Sequence, residues 1–326
     1  MADTVLVTGA GGFIGSHLVE ALVARGATVR ALVRYNGRGD LGNLERVPAS
    51  VRESIDVRAG DVTDPFFVRT LVDGCATVYH LSALIAIPYS YLAPRNVFDV
   101  NVTGTLNVAQ ACLSNGSTLV HTSTSEVYGT AQTVPIREDH PLVGQSPYAA
   151  SKIAADQCVG SYHRSFGLRA VTVRPFNTYG PRQSARAVLP TIIAQALTRD
   201  RVRLGALHPT RDLNYVTDTV AGFIAAGGAI DRVAGKTFNL GTGREVSIGE
   251  LAEQVFATLK VKPTIETDAE RIRPAASEVE RLLADASRAR AELGWAPAVT
   301  LEQGVARTVD YVREHLDSYR PQEFAR

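Results

Sequence analysis

Three glycines, Gly9, Gly12 and Gly15, separate a short apolar run, Thr4 to Thr8, from an amphipathic stretch, Ser16 to Arg25, that stops at Gly26. A second apolar run follows from Thr28 to Val33. Short apolar runs bounded by glycine read as buried strands, and the helical rhythm between them reads as an amphipathic helix. The chain therefore opens as strand, glycine loop, helix, strand. A unit of this kind commits its strands to a parallel sheet, and parallel sheets are covered on both faces.

Further apolar runs at Ser54 to Ala59, Thr77 to Leu81, Thr118 to Thr122, Ala170 to Arg174 and Thr237 to Leu240 alternate with helical stretches, among them Val97 to Ser114 and Pro147 to Phe166. After Pro175 the elements shorten and are punctuated by Gly180-Pro181, Pro190, Pro209, Pro263, Pro274 and Pro297. This rhythm predicts an α/β fold, a doubly wound parallel sheet with a smaller, sequence-discontinuous C-terminal lobe. The expected division is 1–175 plus about 212–240 for the sheet domain, and 176–211 with 241–326 for the lobe.

With 34 basic and 33 acidic residues interspersed along the chain, the net charge of +1 offers no footprint for nucleic acid or an anionic membrane. No apolar run reaches membrane-spanning length, and the first residues run straight into a strand without a basic segment and apolar stretch. Cys75, Cys112 and Cys158 are odd in number and lack metal-site or redox spacing, which favours a reducing compartment. The expectation is a soluble cytoplasmic protein with no metal.

Glycines between a strand and a helix permit a tight turn, close approach of a pyrophosphate to the backbone, and close packing of helix on sheet. The helix amides then face the phosphates. An ordinary strand-to-helix turn would carry the same residues, and the spacing here differs by one residue from the dinucleotide fingerprint. Phe13 and Ile14, within the glycine loop, join Gly9, Gly12 and Gly15 as candidate cofactor contacts. The second strand ends in Val33-Arg34-Tyr35-Asn36 where an acidic residue would accept from a ribose. Arg34 suits stacking on adenine or pairing with a 2′-phosphate, so NAD and NADP both remain open. Asp61 and Val62, after the third strand, are candidate adenine contacts, and Asp64-Pro65 reads as a helix start.

Tyr148 and Lys152 stand four residues apart on the helix from Pro147, which puts both side chains on one face. A phenol has an ordinary pKa of about 10 and needs neighbouring positive charge to act as a base. Lys152 and an oxidised nicotinamide would supply it. Thr124, Ser125 and Glu126 precede the pair and add two hydroxyls and a carboxylate.

These residues resemble the extended short-chain dehydrogenase/reductase superfamily over nearly the whole chain, which implies a Rossmann sheet. In it, the tyrosine is the base, the lysine holds the ribose, and the residue matched by Thr124 orients the substrate hydroxyl. His80-Leu81-Ser82-Ala83, Asn101 to Thr105, Glu126 to Gly129 and Arg174 to Arg182 look like its nucleotide-sugar branch. That likeness adds Leu81 and Ala83 to the cofactor set. It makes Ser90, Asn177, Arg182, Leu189, Arg211 and Arg273 candidates for binding a nucleoside-diphosphate sugar, and arginine forks suit a diphosphate. Members of the superfamily commonly pair as homodimers through two helices, here Val97 to Ser114 and Pro147 to Phe166.

Stretches such as Ala83 to Ser90, His121 to Gln132, Pro209 to Tyr215 and Arg273 to Asp285 look most like UDP-N-acetylglucosamine 4,6-dehydratases of legionaminic-acid-type pathways. The implied reaction is oxidation at C4 through Tyr148, loss of water across C5 and C6 through Glu126, and hydride return to C6. Many sugar-nucleotide 4,6-dehydratases carry Asp-Glu where this chain has Ser125-Glu126, and a serine hydroxyl is too weak an acid to replace that aspartate. Ser-Glu also occurs in UDP-glucuronic acid decarboxylases. A decarboxylase, a 4-epimerase and a catalytically silent nucleotide-binding protein are the competing expectations.

Overall fold

The computed structural model describes residues 3–268 and 274–319. Seven strands form the main sheet: β1 (Thr4–Thr8), β2 (Thr28–Arg34), β3 (Asp56–Gly60), β4 (Thr77–His80), β5 (Thr118–Thr122), β6 (Ala170–Pro175) and β10 (Thr237–Leu240). Their order is β10-β6-β5-β4-β1-β2-β3, and every neighbouring pair is parallel. Strand order reverses between β1 and β4, and the crevice beyond their carboxyl ends is where open α/β sheets bind ligands.

Both faces are buried, as the apolar runs require. Leu6, Val78 and Leu119 join one core, while their neighbours Val7, Tyr79 and Val120 join the other. Helices α1 (Phe13–Val23) and α7 (Val216–Gly228) cover the second core. The first is covered by α2 (Pro65–Val72), α4 (Gly104–Asn115) and α5 (Pro147–Phe166). Asp64 caps α2 by accepting from the amides of Phe66 and Phe67, with Pro65 in the first turn.

Helix α5 spans the residues read from the sequence, because Ser146 caps its start and Gly167, in the left-handed conformation, ends it. The stretch expected as one helix from Val97 to Ser114 differs. It begins at Pro94 and widens into a π-helical turn at Asp99–Thr103 before α4. The extra residue in that turn carries Asn101 onto the loop after β4 and onto α5.

The remaining strands build smaller sheets. β9 (Thr210–Tyr215) pairs with β7 (Asn177–Tyr179), β11 (Glu245–Ser247) and β13 (Arg281–Leu282), while β8 (Arg201–Leu204) pairs with β12 (Thr264–Thr267). The sequence reading assigns residues from about 212 to 240 to the sheet domain; Thr237–Leu240 pairs with β6 in the main sheet, and β9, which contains Asp212, pairs in a small sheet. Buried Asp212 fixes it there by accepting from the amides of Thr242, Gly243 and Ala284. The return to the main sheet begins at Val216, the first residue of α7. Helices α6 (Val188–Ala196), α8 (Ile248–Leu259) and α9 (Leu301–Glu314) pack with these sheets. Among the described residues no helix is long and apolar enough to cross a membrane.

Candidate active site

The glycine loop leaves β1 with Gly9 at φ 70°, a conformation that disfavours any side chain. A Cβ there would stand 2.9 Å from the Leu81 backbone, so glycine lets the loop lie against the end of β4. At Gly15 a Cβ would meet the Gly9 carbonyl oxygen at 2.2 Å. Gly12 caps α1, and the helix starts at Phe13 and Ile14. The result is a bare cradle at a helix N-terminus, a fit for a pyrophosphate.

The other candidate cofactor residues lie at or just beyond the carboxyl ends of β2, β3 and β4. Arg34 ends β2 and is exposed. Asp61 accepts from the amide and hydroxyl of Thr63, both at 2.9 Å, while Val62 is buried against Gly104. The Leu81 amide donates to Thr8, and Ala83 follows on the loop that Asn101 holds.

Tyr148 and Lys152 lie in the first turns of α5, 7% and 3% exposed. The Thr124 side chain acts to lower the pKa of the Tyr148 phenol, and its hydroxyl accepts from the Glu126 amide at 3.2 Å. Ser125 and Glu126 open the short helical turn Ser125–Tyr128 that Thr124 caps. Ser125 is buried, whereas Glu126 is half-buried and its carboxylate accepts no hydrogen bond among the described residues.

The electrostatics of the pair differ from the sequence expectation. The phenol is pushed up rather than down, first by burial and further by Glu126 and Asp156, with only the Thr124 hydrogen bond opposing. Burial pulls Lys152 down to about 8, and the Asp156 carboxylate opposes that fall.

Asn101 braces the centre. Its carbonyl oxygen accepts from the Leu84 amide at 2.8 Å, and its amide nitrogen donates to Leu84 O and to Ser151 Oγ. Ser151 in turn donates to the Tyr148 carbonyl at 2.7 Å. Neither Asn101 nor Asp156 stands in the sequence-derived site. Asp156 carried a readable signal, since it lies one turn beyond Lys152 on the same face.

The candidate substrate residues are placed variously. Asn177 begins β7, and its buried Nδ2 has no partner among the described residues. Leu189 is buried in α6. Arg211 in β9 donates to Glu278 at 3.2 Å. The Ser90 hydroxyl is buried in α3 (Ile87–Leu92) and donates to Ile87 O at 2.6 Å. Arg182, at φ 67°, turns its guanidinium onto Glu20 and His17 of α1. Arg273 lies outside the described residues.

Residues 6–308 match a family described as GDP-mannose 4,6 dehydratase. The chain belongs to this family. The UDP-glucose 4-epimerase of Mycolicibacterium smegmatis is 35% identical, covering 94% of this chain and 98% of that protein. A dTDP-glucose 4,6-dehydratase of Streptomyces griseus is 34% identical over 98% and 97%. UDP-glucuronic acid decarboxylase 1 of Arabidopsis thaliana is 31% identical over 96% and 70%. Among solved structures, DesIV, a dTDP-glucose 4,6-dehydratase from Streptomyces venezuelae with NAD and TYD bound, superposes with a TM-score of 0.86. It is 29% identical and covers 98% of this chain and 100% of its own. Membership of this family is thus broader than the sugar-specific branch that the sequence resembles.

Proposed function

We propose that the protein is an NAD-dependent nucleotide-sugar 4,6-dehydratase acting on a UDP-hexose such as UDP-N-acetylglucosamine. The observation that carries this is Thr124, which acts on the Tyr148 phenol and whose hydroxyl accepts from the amide of Glu126, the half-buried residue beside it. The same turn carries the Glu126 carboxylate, which accepts no hydrogen bond among the described residues. Hydride exchange at C4 alone has no use for that carboxylate, whereas elimination does.

The cradle of Gly9, Gly12 and Gly15 with Phe13 and Ile14 would hold the NAD pyrophosphate, and Arg34, Asp61, Val62, Leu81 and Ala83 would line the adenosine and nicotinamide halves. When bound, NAD supplies a reversible hydride acceptor and a positive ring beside Tyr148. Thr124 orients the C4 hydroxyl, and Tyr148 takes its proton as C4 becomes a ketone. That ketone acidifies the C5 hydrogen, which Glu126 removes while the C6 hydroxyl departs as water. Hydride return to C6, with a proton returned to C5, leaves a 4-keto-6-deoxy sugar. Asn177 and Arg211 are the substrate donors this reading favours, with Ser90 and Leu189 shaping the pocket. Arg182 acts indirectly, through α1.

Ser125 favours a second reading, decarboxylation of a UDP-uronic acid, in which no acid is needed for a leaving hydroxyl. Purified protein given NAD with UDP-N-acetylglucosamine, dTDP-glucose or UDP-glucuronic acid separates the two. A product one water lighter supports dehydration, whereas carbon dioxide from the uronate alone supports decarboxylation.

A homodimer completes the proposal. Phe98, Leu106 and Phe166 are exposed on the helices that flank α5 and on α5 itself, and a second copy would cover them. The cysteines are free thiols, which fits a reducing cytoplasmic setting.

A further inference from the structure

Asp156 stands two turns beyond Tyr148 and one beyond Lys152 on the same face of α5. It is buried, and both carboxylate oxygens are engaged. Oδ1 accepts from His121 Nε2 at 3.1 Å, and Oδ2 accepts from Ser123 Oγ at 2.8 Å and from Arg174 Nη2 at 2.9 Å. Arg174 Nη1 donates to the Tyr128 hydroxyl, which donates to Asn239 Oδ1. Donors on β5, just beyond it and on β6 thus hold one carboxylate in place, and against the cost of burial they keep it ionised, at about 2.

Lys152 lacks any such bracing: its ammonium makes no hydrogen bond to a described residue. The histidines around it are neutral by geometry. Thr105 donates to Asn101 O, so His80 Nε2 must donate to Thr105, leaving Nδ1 to accept from Thr8. His121 gives its Nε2 proton to Asp156 and has a buried, unpartnered Nδ1. Burial and Lys152 hold both rings below their ordinary value. Glu126 faces the tyrosine, while a pocket on the far side of the network is lined by Asp156, His163, Arg164, Arg174 and Lys236. Lys236 there is paired with Glu292, and the Arg95–Asp99 pair on the neighbouring helix is exposed. Asp156 is therefore the buried negative charge that acts on Lys152.

We propose that Asp156 is a positioning residue for the reaction: anchored by His121, Ser123 and Arg174, it supplies the charge that keeps the buried Lys152 ammonium protonated and aligned with Tyr148. The proposal rests on the functional reading of Tyr148 and Lys152 given above. Without this charge, the buried Lys152 ammonium would give up its proton more readily among neutral rings and beside a positively charged nicotinamide.

The chain contains only four lysines, Lys152, Lys236, Lys260 and Lys262, so NMR of the full chain carrying 13C-labelled lysine resolves the Lys152 titration, with and without NAD. Asp156→Asn is expected to lower it by about one pH unit, the effect of removing one nearby opposite charge. Arg174→Gln, which deletes the competing cation, is expected to raise it. Opposite signs separate an electrostatic role from a merely structural one. A Lys152 titration that stays put in Asp156→Asn, or moves the same way in both variants, overturns the proposal. Should Asp156→Asn not fold, Arg174→Gln decides alone: a rise supports, and no change or a fall refutes. The titration uses no sugar, so absence of turnover on every nucleotide sugar would sink the functional reading while leaving this result standing.

Discussion

A side chain at Gly15 would begin 2.2 Å from the carbonyl oxygen of Gly9, inside any allowed contact. Gly15→Ala must therefore push the glycine loop off α1, and overpacking of this kind costs about 1–3 kcal/mol. Calorimetry should show NAD affinity falling at least about tenfold, a loss of about 1.4 kcal/mol. Gly12 is the internal control, since a Cβ there meets the same oxygen at 3.0 Å and its φ of −76° suits any residue. Gly12→Ala should lose less.

Tyr148→Phe removes one hydroxyl from a buried ring on the same face of α5 as Lys152. General-base contributions are about 10²–10⁴-fold, and turnover should fall by that amount. NAD should still bind, because the ring itself remains. Near-normal turnover would refute the assigned base.

Glu126→Gln keeps the shape of the turn that Thr124 caps but removes the proposed C5 base. Oxidation at C4 should survive, so reduced cofactor should accumulate after one addition of substrate. Exchange of the C5 hydrogen with solvent deuterium should fall about 10²-fold or more. Undiminished exchange would place the base elsewhere.

The latch between Arg182 and α1 carries a pH signature. Arg182 Nη2 donates to His17 Nδ1 at 2.7 Å, leaving Nε2 to donate to Pro181 O at 2.9 Å. Burial, with the Arg182 charge, pulls His17 down to about 4. An unfolded histidine titrates near about 6.5, so the unfolded chain binds the extra proton first as pH falls. Stability from this residue is complete above about 6.5 and lost progressively toward 4. Urea midpoints of wild type and His17→Gln should diverge across that window, wild type showing the steeper decline with acid.

What the sequence makes legible is what local chemistry decides. Ser146-Pro147 and Gly167 bound α5, and Asp64-Pro65 starts α2, because caps act within a few residues. The π-helical turn at Asp99–Thr103 depends on Asn101 reaching Leu84 and Ser151, contacts that exist only after folding. Arg182 reads as a diphosphate donor, yet its left-handed backbone turns it onto Glu20 and His17, and nothing near it in sequence announces that. The rise of the Tyr148 phenol likewise follows from burial and from Asp156, two turns away. Asp156 was within reach of a helical-face argument, whereas its anchors on β5 and β6 were not.

In the proposed reaction one sugar is oxidised at C4, dehydrated across C5 and C6, and reduced at C6. A UDP-hexose carrying deuterium at C4, incubated with the NAD-loaded protein, tests it in one mass and NMR measurement. The account predicts a 4-keto sugar one water lighter with the deuterium at C6. Deuterium found again at C4, in a product of unchanged mass, would contradict it and leave an epimerase.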